Sequence, residues 1–87
     1  MSEEWIDIST ALGQKGPDDG EILLQYELPG VGGIVLEKKI MPTRRTRFFA
    51  VTVVVYNKFI NTSYFYNKED ALEHIKSTKL LIRIAYL

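Results

Sequence analysis

The sequence predicts an α+β domain in which an antiparallel sheet of four to five strands packs against one main helix. Two observations predict this fold class. Apolar and polar residues alternate along several short segments, and Gly, Pro or Asn residues separate those segments, as in a series of hairpins. Near the C-terminus, Asn67 precedes two acids and an apolar stripe, which is typical of the start of a helix.

Four strands are expected before the helix. They cover residues 22–28, 34–41, 47–56 and 62–66. Pro and Gly residues at 29–33 predict a turn between the first two strands, and residues 57–61 are expected to turn the chain between the last two. Residues 47–56 are β-branched or aromatic on both faces, so this strand is expected to lie in the interior of the sheet.

The helix is expected to begin after Asn67 and to cover about ten residues. Residues 80–87 return to an alternating pattern, which predicts a final strand. The predicted order of elements is therefore β-β-β-β-α-β, with the helix on one face of the sheet. The opposite face would expose Tyr, Phe and Val side chains unless a partner or a second copy covers it.

The first 20 residues are expected to form an arm and a loop within a single domain of residues 1–87. The apolar residues among the first twelve fit the spacing of a helix and also that of a strand, and both interpretations stay open. Residues 13–20 contain three glycines and a proline, which predicts a loop. Asp18, Asp19 and Glu21 lack the spacing of a calcium loop and are interpreted as parts of a solvated turn.

Composition and motifs exclude several kinds of site. The chain contains no cysteine, so disulfides, iron–sulfur ligation, thiolate catalysis and cysteine-based zinc sites are excluded. The single histidine, His74, has no nucleophile or second histidine at a spacing that indicates catalysis, and is interpreted as structural. The glycines at 30–33 open a strand instead of a helix, which favours a hairpin over a phosphate loop. We therefore expect no catalytic residues, no cofactor and no metal.

A cytoplasmic protein without a membrane segment is expected. The start of the chain is acidic and lacks the charged and apolar regions of a secretory signal. The longest apolar runs, at 48–56 and 80–87, have the length of strands and fall short of the roughly 18 to 20 residues that a membrane span needs.

The charges are separated along the chain although the formal net charge is zero. Residues 1–37 carry eight acids and one lysine, a net charge of −7, whereas residues 38–87 carry ten basic residues and three acids, a net charge of +7. Five of the cations surround a turn that contains a proline. They are Lys38, Lys39, Arg44, Arg45 and Arg47. Folding either cancels this asymmetry or leaves a face suited to an anionic partner.

Two functional hypotheses follow. The preferred one is a small non-catalytic interaction protein, such as a regulator, adaptor or inhibitor, that binds another protein or itself through its sheet, with a homo-oligomer expected. The alternative is a binder of single-stranded nucleic acid or a phosphate ligand that uses the basic turn and neighbouring aromatics. A net charge of zero is unusual for a nucleic-acid binder. The candidate partner-binding residues are Arg44, Arg45, Arg47, Tyr56, Phe59, Tyr64 and Tyr66.

Overall fold

The computed structural model of the protein describes residues 5–8, 14–17, 19–40 and 46–86, without the side chains of Phe59 and Tyr86. Within these residues the chain forms a five-stranded antiparallel sheet and one helix that packs against it. This architecture confirms the predicted α+β class, with a sheet of four to five strands and one main helix.

The strands lie side by side in their order along the chain. The elements are β1 Ile6–Asp7, β2 Glu21–Leu28, β3 Gly32–Ile40, β4 Arg47–Val55, β5 Lys58–Phe65 and α1 Lys68–Tyr86. Each strand pairs antiparallel with the next, so the sheet is a meander. One edge of the sheet is the two-residue β1, and the other edge is the eight-residue β5.

The turn between β4 and β5 is shorter than predicted. Residues 57–61 were expected to form it, but β5 already begins at Lys58 and the turn consists of Tyr56 and Asn57. Both residues have positive φ, at 51° and 62°, which matches the two-residue turns that suit the twist of a hairpin. Asn tolerates this conformation well, whereas a bulky Tyr is unusual in it. Of the two turn residues, only Asn57 is of a type that predicts such a turn from sequence.

The predicted final strand at residues 80–87 is wrong, because α1 continues without interruption through Tyr86. The segment between Asn67 and the C-terminus has no Gly or Pro that would end a helix. Helical continuation places Ile82, only 6 % exposed, on the same side as the buried Ala71 and Ile75. The sheet gains its fifth strand at the opposite end of the chain, where β1 pairs with β2.

Asn67 caps the helix, as predicted. The backbone N–H of Glu69 donates a hydrogen bond to the Asn67 side-chain oxygen at 2.9 Å. Glu69 and Asp70 lie in the first turn, where their charges interact favourably with the helix dipole. The cap fixes the point at which the chain leaves β5 and turns onto the sheet.

The main core lies between α1 and one face of the sheet, which is called the helix face below. Its buried side chains come from three adjacent strands and the helix. They include Leu28, Ile34, Leu36, Phe49, Val51, Val53, Ala71, Ile75 and Ile82. β4 is also buried on its other side, where Ala50 and Thr52 are inaccessible to solvent. The expectation of an interior strand buried on both faces is therefore confirmed.

Trp5 connects the N-terminal strand to the helix. Its indole Nε1–H donates a hydrogen bond to the Lys79 carbonyl oxygen at 3.2 Å, and its ring packs against the core. The Lys79 ammonium lies 3.4 Å from the centre of the Tyr26 ring, a cation–π contact. Burial lowers the pKa of Lys79 below its ordinary value, while Asp7 acts in the opposite direction. These contacts make residues 5–8 part of the folded unit.

We expect the fluorescence of Trp5, the only tryptophan, to report the unfolding of the whole domain. Its emission should shift to the red at the same urea concentration at which the helical circular dichroism of α1 is lost, because Trp5 packs on α1. Trp5→Phe should lower the free energy of unfolding by about 0.5–1.5 kcal/mol through loss of the hydrogen bond. Emission typical of an exposed indole in native buffer would contradict this prediction.

Candidate functional site

Within the described part of the chain, the sheet face opposite α1, called the open face below, is covered by a loop over only part of its area. This loop, at residues 14–17, 19 and 20, folds over Glu37, which is 0 % exposed. The Gly20 N–H donates a hydrogen bond of 2.7 Å to the Glu37 carboxylate. A Cβ atom at Gly16 would overlap the Glu37 side chain, so the loop approaches this closely only with glycine at that position. The loop thus covers the β2–β3 side of the open face.

Asp19 of the loop and Glu21, the first residue of β2, each form a salt bridge with a lysine. The Lys15 ammonium lies 3.6 Å from the Asp19 carboxylate, and both side chains are exposed to solvent. The Lys38 ammonium lies 3.6 Å from the Glu21 carboxylate. Asp18 lies outside the described residues. No group of three or more metal-ligating side chains is found in the part of the chain that the structure describes.

The uncovered side of the open face carries a cluster that we call the aromatic corner, formed by Lys39, Phe48, Tyr64 and Tyr66. The Phe48 and Tyr64 rings meet edge to face with their centres 5.9 Å apart. The Lys39 ammonium lies 5.9 Å from the centre of the Phe48 ring. Tyr64 is 56 % exposed and Tyr66 71 % exposed. Together with Phe65 these residues line a shallow groove of about 340 Å³.

Strand register explains why the aromatic corner forms. Lys39 pairs with Phe48 across β3 and β4, and Ala50 pairs with Tyr64 across β4 and β5. Phe48 and Ala50 are two residues apart, so their side chains share one face of the sheet. Because Ala50 is small, the larger side chains of Phe48 and Tyr64 meet beside it.

The structure brings together only part of the predicted site. Tyr64 and Tyr66 lie in the aromatic corner, and the exposed Arg47 begins β4 at the same end of the sheet. Arg44 and Arg45 lie outside the described residues, in the segment that connects β3 to β4. Phe59 pairs through its backbone with Val54, but its side chain is not described.

Tyr56 is separate from this cluster. It lies in the turn at the other end of β4, eight residues after Phe48. At the rise of an extended strand, this separation is about 26 Å. There it lines a different groove, of about 500 Å³, together with Gly33, Val35 and Val54. Sequence reasoning missed Phe48 as a site residue, because its partners are evident only once the register of two hairpins is known.

β5 forms a long open edge beside the aromatic corner. Among the described residues, no strand pairs with its outer side. Residues 59–67 contain no charge, no proline and no glycine, although natural edge strands are commonly protected by Lys or Pro. Ile60, 52 % exposed, and Tyr64 lie along this edge. The opposite edge is only the two residues of β1.

The helix packs on one face of the sheet, against β4 and β5, and so it does not lie along the outer edge of β5. Near its start, the His74 ring packs against Phe65, with ring centres 5.1 Å apart. Five residues later, Lys79 contacts Tyr26 of β2. His74 is half-buried in this contact, which is consistent with its interpretation as a structural residue.

Comparisons with family models, curated proteins and solved structures gave no match for this chain. Among the described residues, no helix has the length and apolar character required to cross a membrane. Function is therefore inferred from the aromatic corner and the open edge of β5.

Glu37→Ala should lower the free energy of unfolding by about 1–3 kcal/mol, because it leaves the buried Gly20 N–H without this acceptor and empties the space under the loop. Urea unfolding measures the effect. The matched control is Glu27→Ala, an exposed glutamate on the same sheet face, which should change the stability by less than about 0.5 kcal/mol. Equal effects of the two substitutions would mean that Glu37 does not hold the loop.

Proposed function

We propose that this chain is a small non-catalytic interaction protein, a regulator, adaptor or inhibitor, that binds a protein partner through the edge of β5 and the aromatic corner. The observation that supports this proposal is an eight-residue edge strand that has no neighbour on its outer side among the described residues, next to exposed aromatic side chains. An extended segment of a partner can add to such an edge by main-chain hydrogen bonds.

The two parts of the surface have different roles in this proposal. The backbone of β5 supplies hydrogen bonds that any strand can accept or donate, so it contributes affinity with little sequence preference. Tyr64 and Tyr66 provide large contact area at a low cost in side-chain entropy, as aromatic anchors do in protein interfaces. Phe48 packs edge to face against Tyr64 and Lys39 lies over Phe48, and in this proposal these contacts limit which side chains can pack on the corner.

Tyr64→Lys should abolish partner binding while the domain stays folded. Tyr64 is more than half exposed, so the fold does not depend on it, whereas a lysine on an edge strand discourages strand addition. The measurement is capture from an extract of the source cells on immobilised wild-type and variant protein, at low and high salt. Capture by the wild-type protein should resist high salt, because strand addition and apolar burial involve no release of counterions from phosphate.

The matched control is Ile84→Lys, which places the same charge on an exposed apolar residue of α1. This variant should capture the same partner as the wild-type protein. If Tyr64→Lys and Ile84→Lys behave alike, the β5 edge is not the binding surface. Circular dichroism of each variant verifies that the helix is intact.

The second candidate function is binding of single-stranded nucleic acid, and one observation favours it. Lys39 lies in the aromatic corner, and Arg47 begins β4 at the same end of the sheet, on the opposite face from Phe48. The connection from β3 to β4, which contains Arg44 and Arg45, starts and ends at this same place. Proteins that bind single-stranded nucleic acid combine cations, which contact the phosphates, with aromatic rings, on which the bases stack.

Fluorescence anisotropy of labelled single-stranded oligonucleotides tests this second candidate. Binding should weaken steeply as salt is raised, and the triple variant R44A/R45A/R47A should lose it, because phosphate contacts release counterions. The matched control replaces Lys68, Lys76 and Arg83, three cations of α1, by Ala and should retain binding. Absence of binding by the wild-type protein at low salt would exclude this function.

A further inference from the structure

The regular part of the β5 edge is centred on Ser63. Residues 61–65 pair with β4 in continuous register, and the irregularity in the ladder comes only beyond Asn61, between Val53 and Val54. A strand that adds to this edge therefore meets a regular template of five residues whose middle is Ser63. A template with a defined centre is suited to pairing with an identical strand about a two-fold axis.

We infer that the partner of β5 is the β5 strand of a second copy of this chain, paired antiparallel about a two-fold axis at Ser63. This inference rests on the function proposed above and names its partner. The product is a continuous ten-stranded sheet, two copies of the five-stranded one. Because the axis is perpendicular to the sheet, both α1 helices lie on the same face, and the two aromatic corners lie together on the other.

The side chains of the edge are compatible with themselves in this register. Thr62 of one copy lies opposite Tyr64 of the other, and the symmetry repeats this pair on the far side of the axis. Aromatic residues opposite β-branched residues are favourable cross-strand pairs. Thr62 is half-buried and pairs with Thr52 inside its own copy, so its position is already fixed before the second copy binds.

The charges at the two ends of β5 are complementary to one another. The strand begins with Lys58 and leads into the start of α1, where Glu69 and Asp70 outnumber Lys68. All four side chains are exposed. Antiparallel pairing brings the Lys58 end of each copy to the acidic helix start of the other, twice by symmetry. With a net charge of zero there is no overall repulsion between copies.

The absence of cysteine from the sequence allows a direct test by disulfide crosslinking. In the inferred dimer the two Ser63 residues face each other across the axis, with Cβ atoms about 4.5–5.5 Å apart, and a small backbone movement brings them within the roughly 3.5–4.5 Å that a disulfide requires. Ser63→Cys should form a disulfide-linked dimer under mild oxidation, on the order of tenfold faster than the control Ser77→Cys, whose thiol lies on the exposed side of α1 and meets another only by collision.

Sedimentation of the wild-type protein over a concentration series provides a second measurement that needs no thiol. A dimer that resists high salt, and that Tyr64→Lys converts to a monomer, is the expected result. A monomer at all concentrations, or a dimer in which Ser63→Cys crosslinks no faster than Ser77→Cys, would overturn the inference. If the protein is monomeric and Tyr64→Lys still abolishes capture of a cellular protein, the proposed function stands. Only the inference that the partner is a second copy of this chain is then wrong.

Discussion

The burial of β4 on both faces is the constraint on which the rest of the structure depends. One side of β4 places Val51 and Val53 in the core under α1, and the other side places Ala50 and Thr52 where solvent does not reach. Two separate covers are needed, and within the residues that the structure describes they are provided by one long helix and one short loop. The helix buries the central part of its face, where Val51 and Val53 lie. The loop covers only the area around Glu37, which leaves the aromatic corner and β5 in contact with solvent.

The strands and the start of the helix could be predicted from the sequence, because each depends on local chemistry. The alternation at residues 22–28 and the cap at Asn67 are signals that a few residues carry by themselves. Residues 80–86 could not be assigned in this way, since a short run of Leu, Ile and Tyr fits a strand and a buried helix equally well. The packing of Ile82 beside Ala71 and Ile75 decides for the helix, and that packing depends on the whole sheet.

The candidate site shows the same division between local and long-range information. Tyr64 and Tyr66 are recognisable as neighbours from their spacing alone. Their contact with Phe48 requires the register of β4 with β5, and the separation of Tyr56 from them requires the position of a turn with a weak sequence signal. Glu37 is the least predictable of these residues. A carboxylate is normally exposed, and its burial here depends on glycines that lie about 20 residues earlier in the chain.

The contact between Trp5 and Lys79 has a consequence for the order of folding. Every pair of adjacent strands is also adjacent in sequence, so the sheet can assemble from hairpins that close short loops. Trp5 and Lys79 are separated by 74 residues, and their hydrogen bond closes a loop that contains nearly the whole chain. The entropic cost of closing so long a loop becomes small only after the intervening strands and α1 have formed. The docking of the N-terminal segment onto the helix is thus the step that completes the native state.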